Sequence, residues 1–150
     1  MKRLRWGLLM VVVWGFATPA DTRTLLGFRF GFYAESEDAF LGAEALVPLR
    51  RGWFLNPNVE NVFAEGVTFV TFNVDVHYDL PVQAPYSIWV GGGLAVLYRN
   101  PEGRAPADTD VGINVLFGLG WHRGNLYPYV QGKVILSDEA ELVLGLGLRF

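Results

Sequence analysis

The sequence from Glu141 to Phe150 reads ELVLGLGLRF, and its large apolar residues occupy every second position. The residues between them are smaller or charged. Successive side chains of a β-strand point to opposite faces, so this period of two indicates a strand with one apolar face and one small or polar face. The apolar face consists of Leu142, Leu144, Leu146, Leu148 and Phe150.

Seven further segments repeat this alternation, separated by short runs rich in Gly, Pro and acidic residues. Eight strands with short connections pair as antiparallel hairpins. Pro57 lies inside the third segment and requires a strand start or a bulge there, because proline cannot donate to a ladder. The predicted strands are Arg23–Tyr33, Ala39–Leu49, Trp53–Phe63, Val67–Tyr78, Tyr86–Arg99, Asp110–Trp121, Leu126–Leu136 and Glu141–Phe150.

The volume of the apolar face indicates which side of these strands faces outward. A soluble barrel of the lipocalin type also alternates, but it keeps its apolar side chains inside. The apolar face here carries many Phe and Trp residues, including Phe28, Phe30 and Phe117, which exceed the narrow interior of an eight-stranded barrel. The opposite face is rich in Gly, Asn and Thr rather than Lys and Glu, so it suits a crowded interior better than a surface in water. We therefore expect the apolar face to contact lipid.

These features together resemble the eight-stranded bacterial outer-membrane barrels of the OmpA-transmembrane and OmpX type. The resemblance covers the chain after its first 20 residues and rests on architecture and on the terminal strand. It implies an all-β, antiparallel, up-and-down transmembrane barrel over residues 21–150, monomeric in outer-membrane lipid. It also implies periplasmic chaperones and the barrel-assembly machinery as partners during biogenesis, with the C-terminal strand read through Leu146, Leu148 and Phe150.

The first 20 residues have the pattern of a cleaved secretory signal peptide. Lys2, Arg3 and Arg5 precede an apolar run from Trp6 to Phe16, and small residues follow up to Ala20. The run is shorter than the ~20 residues that a membrane-spanning helix needs. A buried core helix is the alternative. Cleavage is expected after Ala17 or Ala20, and the remaining chain has a net charge of about −6, which argues against nucleic acid as a partner.

Aromatic residues on the outward face cluster near the strand ends, which is the pattern of the two girdles of a membrane barrel. With the N-terminus in the periplasm, one group lies near the outer end and the other near the periplasmic end. The outer group is Phe32, Phe63 and Tyr98, and the periplasmic group is Trp53, Tyr78, Tyr86, Trp121 and Phe150.

Charged residues on the inward face balance in sign. Because unpaired charges in a narrow barrel cost several kcal/mol each, we expect them to form pairs. A first turn near Ser36 or Glu37 sets Arg29 roughly opposite Glu44, which predicts a cross-strand ion pair. Such a network is either a structural plug or a gate on an ion path. Its predicted members are Arg29, Glu44, Glu60, Asp75, His77, Lys133 and Arg149.

The sequence gives little support for a catalytic site or a metal site. Asp75, His77 and Ser87 share the inward face near the periplasmic end, where a nucleophile and base are conceivable, but the signal is weak and a structural polar cluster is the favoured interpretation. The chain has no cysteine and no metal-ligand spacing, so no metal or cofactor is expected.

The sequence thus predicts a non-catalytic outer-membrane barrel, either structural or a minimal porin-like path for small solutes. The alternative is a binding module, adhesin-like or a carrier of hydrophobic ligands. It would act through Asn100–Thr109, the longest predicted loop.

Overall fold

The computed structural model describes residues 23–150, so the predicted signal peptide, residues 1–20, lies outside the described residues. Each predicted strand is present, with bounds that shift by two residues or fewer. No helix in this part of the chain is long and apolar enough to span a membrane. The strands are β1 Leu25–Tyr33, β2 Asp38–Arg50, β3 Trp53–Val62, β4 Val67–Asp79, β5 Tyr86–Pro101, β6 Asp108–Trp121, β7 Tyr127–Leu136 and β8 Ala140–Arg149.

The eight strands form one closed barrel in which every strand pairs with its neighbours in sequence. All pairs are antiparallel, and β1 closes the barrel against β8, with Gly27 opposite Arg149. Closure satisfies the backbone hydrogen bonds of both terminal strands and leaves no open sheet edge. The predicted all-β, antiparallel, up-and-down barrel is therefore confirmed.

The outward face of the barrel is apolar along all eight strands. Phe28, Phe72, Ile113 and Val115 each leave more than half of their side chain exposed. A surface this apolar is stable only in an apolar solvent or under a partner, because a water-soluble monomer rarely exposes a continuous apolar area beyond a few hundred Å². The interpretation that the large apolar residues point outward is confirmed.

The interior is filled in layers. Apolar side chains close the half of the barrel that holds the turn after β1, and an aromatic cluster lies in the other half. Buried polar and charged side chains lie between them. The first layer consists of Tyr33, Phe40, Val62, Phe69, Ala95, Leu97, Ile135 and Val143, and the aromatic cluster of Trp89, Leu116 and Tyr129.

Two predictions about connections need correction. The loop predicted as Asn100–Thr109 is shorter, because β5 continues to Pro101 and β6 begins at Asp108, so six residues remain. Arg99 pairs with Asp108 across this extension of the hairpin. Pro57 neither starts a strand nor lies at the register shift between β2 and β3, which falls between Pro48 and Arg50; it pairs with Val74 of β4 inside β3.

Candidate functional site in the barrel interior

Glu44 on β2 is the first of two buried carboxylates around which the interior charges assemble. Arg149 donates from Nε to Glu44 Oε1 at 2.9 Å and from Nη2 to Oε2 at 3.3 Å. Tyr129 donates its hydroxyl to Oε1 at 2.6 Å, and Asn56 Nδ2 donates to Oε2 at 2.8 Å. These donors come from β8, β7 and β3, so one carboxylate ties together strands that lie on opposite sides of the barrel.

Glu60 on β3 is the second carboxylate, and it is fully buried. Lys133 Nζ donates to Glu60 Oε1 at 3.0 Å, and Arg29 Nε lies 3.2 Å from the same oxygen. Tyr33 and Thr71 donate their hydroxyls to Oε2. Two cations and two hydroxyls therefore surround one negative charge, which offsets its cost of burial.

Arg29 joins the two carboxylates into one network. Its Nη1 lies 3.7 Å from Glu44 Oε2, while its Nε is closer to Glu60. In the register of β1 and β2, Arg29 lies opposite Gly42, and Glu44 lies opposite Gly27. The predicted pair is thus diagonal rather than directly opposed, and Glu60 is the nearer partner of Arg29.

Two predicted members of the network lie apart from these ion pairs. Asp75 is fully buried, yet its hydrogen bonds come from amides: Asn114 Nδ2 at 2.7 Å and Asn58 Nδ2 at 3.1 Å. His77 contacts Asp79 rather than Asp75, with Nε2 3.5 Å from Asp79 Oδ1. The cations Arg29, Lys133 and Arg149 therefore pair with Glu44 and Glu60 alone, and no ion pair among the described residues includes Asp75.

The conceivable grouping of Asp75, His77 and Ser87 is not assembled. Ser87 Oγ instead lies 2.9 Å from Nε2 of His122, which follows β6. Asp75 is engaged by the amides of the central layer. Among residues 23–150, no group of three or more His, Asp or Glu side chains is arranged to hold a metal ion.

Sequence reasoning missed three contributors to the interior. Tyr33 and Tyr129 are hydrogen-bond donors to the two carboxylates, and their inward position on β1 and β7 was the available signal. Glu141 is buried at the start of β8, where it accepts from the backbone N–H groups of Glu35 at 2.8 Å and Ser36 at 3.3 Å. It thereby fixes the first turn.

A cavity opens at each end of the barrel. The cavity at the end that holds the first turn has a volume of about 480 Å³, and its charged walls include Glu35, Asp108 and Glu141, with Arg99. The cavity at the opposite end, beside the β8 terminus, has a volume of about 430 Å³. Neither cavity is lined by Arg29, Glu44, Glu60 or Lys133. The network and the apolar layer therefore separate the two mouths.

The predicted girdle residues occupy the outer surface near the strand ends. Trp53 pairs with Tyr78 in register, and their rings lie 5.0 Å apart. Tyr86 pairs with Trp121 at the same end. Phe63 follows the last residue of β3, and its N–H continues the ladder by donating to Ala39 O at 2.8 Å. Exposed members of this set are Phe32, Trp53, Phe63, Tyr86, Trp121 and Phe150, and Tyr78 and Tyr98 are half-buried.

The residues of the predicted assembly signal lie on the outward face of β8 and just beyond it. Leu146, Leu148 and Phe150 are all exposed. Phe150 and Leu26 exchange backbone hydrogen bonds of 2.9 and 3.2 Å, and the Phe150 ring lies 5.9 Å from that of Phe28. The outward face of β8 is therefore continuous with that of β1.

Comparison with known proteins shows similarity in fold alone. No family model matches the chain, and no curated protein matches it. Among solved structures, the N-terminal β-barrel domain of Pseudomonas aeruginosa OprF has a TM-score of 0.72 at 17% identity, covering 85% of this chain and 96% of that one. Neisserial surface protein A (NspA) has a TM-score of 0.64 at 12% identity, covering 84% and 92%.

A third similar structure is Ail, the attachment invasion locus protein of Yersinia pestis, solved in complex with the heparin analogue sucrose octasulfate. It has a TM-score of 0.57 at 12% identity, covering 85% of this chain and 96% of that one. The closed strand order, the outward apolar face and these three similarities agree. The chain has the fold of the small eight-stranded β-barrels of bacterial outer membranes.

Proposed function

We propose that the chain is an integral outer-membrane protein with no catalytic activity, whose apolar outer face contacts membrane lipid as a monomer. The observation that supports this is the combination of an outer surface covered by large apolar side chains with a buried ion-pair network in the interior. In this proposal residues 1–20 direct export, and periplasmic chaperones and the assembly machinery deliver the barrel. The termini face the periplasm, and the first turn faces outward.

The same proposal makes the barrel a structural element that conducts little. Two barriers lie in series along its axis. The first is the apolar layer around Tyr33, Phe40 and Phe69, which excludes water as hydrophobic constrictions do. The second is the network around Glu44 and Glu60, where each carboxylate already has two cationic neighbours. An ion would have to displace these partners to pass.

Single-channel recording in planar bilayers tests this function. Wild type is compared with Glu60→Ala, with Phe40→Ala, and with the variant that carries both changes. We expect wild type to be silent and each single variant to stay closed, because the other barrier remains. The double variant should give small discrete openings. Phe72→Ala removes a phenyl ring from the lipid-facing side and is the matched control for Phe40→Ala.

The outcomes separate a structural barrel from a solute path. Frequent openings of the wild type would contradict the structural role and support the porin-like role. Openings in Glu60→Ala alone would make the ion pairs the gate. Folding of each variant is checked by heat-modifiable gel mobility, so that silence is not mistaken for failure to fold.

A binding role at the outer mouth is the second candidate, and the acidic cavity there favours it. Sucrose octasulfate, the molecule bound to Ail in its structure, is a polyanion. The carboxylates around the outer mouth of this chain, among them Asp108, Asp138 and Glu139, repel such a molecule. A ligand at this mouth would therefore be cationic.

A further inference from the structure

The cavity at the periplasmic end has the dimensions of a small-molecule site. Its volume of about 430 Å³ lies within the usual range for ligand pockets, which is roughly 300–1,000 Å³. Its floor includes Trp89, which is held rigidly: His77 stacks on it at 5.4 Å between ring centroids, and the guanidinium of Arg149 lies 5.2 Å from its ring. A ligand would therefore meet a preformed floor.

Two residues that line this cavity each have a buried polar atom without a hydrogen-bond partner among the described residues. His77 is 1% exposed, and its Nδ1 has no hydrogen bond. Asp79 Oδ1 is also without a hydrogen bond, with His77 Nε2 at 3.5 Å as its nearest ion-pair contact. Buried polar groups are almost always hydrogen-bonded, so two adjacent exceptions lining a cavity point to a bound partner that completes them.

The residues that line the cavity indicate what kind of ligand could bind there. Phe54 and Tyr127 are half-buried and offer aromatic surface. The Ser87–His122 pair and Asn125 offer hydrogen-bond donors and acceptors around the opening. This combination of a few placed polar groups with aromatic walls orients a ligand that has both hydroxyl groups and apolar edges.

The charges of the cavity favour a neutral ligand. Arg149 already pairs with Glu44, which lies outside the cavity, so its charge is compensated. Arg23 and Asp79 then leave one charge of each sign among the remaining lining residues with fixed charge. A lipid tail would leave His77 and Asp79 unsatisfied, and either an anion or a cation would face a like charge.

We propose that this cavity binds one or two sugar rings, with one ligand hydroxyl donating to His77 Nδ1 and a second donating to the carboxylate of Asp79. The site opens beside the N-terminal end of β1 and the C-terminal end of β8. A cell-wall glycan and a free sugar share this chemistry. The location of this site at the periplasmic end rests on the orientation proposed above, whereas sugar binding itself does not depend on orientation or on conductance.

The test uses the full chain expressed in a Gram-negative host, purified from its outer membrane in detergent and titrated with N,N′-diacetylchitobiose. Binding is followed by tryptophan fluorescence. We expect saturable quenching that persists in Trp53→Phe, because Trp53 lies on the outer surface. It should be lost in the double variant Trp89→Phe/Trp121→Phe, because both of these tryptophans line the cavity. The de-acetylated disaccharide, which carries two ammonium groups, should bind at least about tenfold more weakly.

Two variants and one control locate the binding. His77→Ala removes the unpartnered acceptor and should weaken binding about tenfold. Ser87→Phe fills the cavity from its rim without changing its floor and should abolish binding. Arg99→Ala lies at the opposite mouth and should leave the affinity unchanged. Each protein must first show the heat-modifiable mobility of a folded barrel.

The results test whether the cavity binds a sugar and, if it does, where the sugar comes from. Tighter binding of a soluble glycan-strand fragment than of the disaccharide identifies the cell wall, and equal binding identifies a free sugar. No saturable signal with any of these sugars, or equal binding by wild type and a folded Ser87→Phe variant, would overturn the site.

Discussion

The indole of Trp89 fills the space that a side chain at Gly118 would occupy. A Cβ built on Gly118 would lie 2.0 Å from Trp89 Cε2, and the two residues are directly paired in the register of β5 and β6. Gly147 makes room for Tyr129 in the same way, at 2.2 Å. The inward glycines therefore do more than keep the interior small, because they create the space that the interior aromatic residues fill.

Gly118→Ala should lower the free energy of unfolding by about 1–3 kcal/mol, the usual cost of forcing an extra group into a packed interior. Gly132→Ala is the matched control, since a Cβ there would meet only Leu144 Cδ2, at an ordinary contact distance of 3.9 Å. Both changes are measured by equilibrium unfolding in detergent. Equal losses in the two variants would contradict the complementarity of Gly118 and Trp89.

The period of two predicted which side chains of each strand point outward and which point inward, because this depends only on the alternation of side chains within the strand. It could not predict which inward residues meet across the barrel. Tyr129 and Glu44 are 85 residues apart, and their contact depends on the stagger between strands that are not neighbours. That stagger is a property of the closed barrel and cannot be read from the alternation within one strand. The sequence therefore predicts that Glu60 is an interior charge, but it does not predict that Glu60 is the nearer partner of Arg29.

Glu60→Ala should be strongly destabilising, because it leaves Lys133 without its hydrogen-bonded carboxylate and removes the closer carboxylate from Arg29. Breaking one side of a buried pair costs about 3–5 kcal/mol. The double variant Glu60→Met/Lys133→Met should recover part of this loss, since it removes both charges of one pair. Urea unfolding midpoints measure the effect.

Glu65→Ala is the control for that experiment, because Glu65 is exposed in the turn between β3 and β4. It should change the free energy of unfolding by less than about 0.5 kcal/mol, as surface substitutions usually do. A loss in Glu60→Ala no larger than in Glu65→Ala would mean that the network does not stabilise the barrel.

Replacing residues 103–106 by Asn-Gly should leave the barrel folded, because residues 102–107 are all exposed and a Cβ on Gly103 would meet no atom within 4 Å. The free energy of unfolding and the gel mobility should match wild type. Adhesion of expressing cells to host cells or to a cationic surface should also be unchanged if the chain is structural. Lost adhesion with normal folding would favour the binding role.

The depth dependence of an added charge tests whether the outward face contacts lipid. Val115 lies on the outward face near the middle of β6 and is 54% exposed, whereas Thr109 lies outward near the end of the same strand. In a bilayer, Val115→Arg should cost about 2–4 kcal/mol and Thr109→Arg at most about 1 kcal/mol, because the cost of a charge peaks at the midplane. In water, both substitutions would be close to neutral, since each side chain is exposed. Equilibrium unfolding from phospholipid vesicles measures the two costs, and equal small costs would show that β6 does not face hydrocarbon.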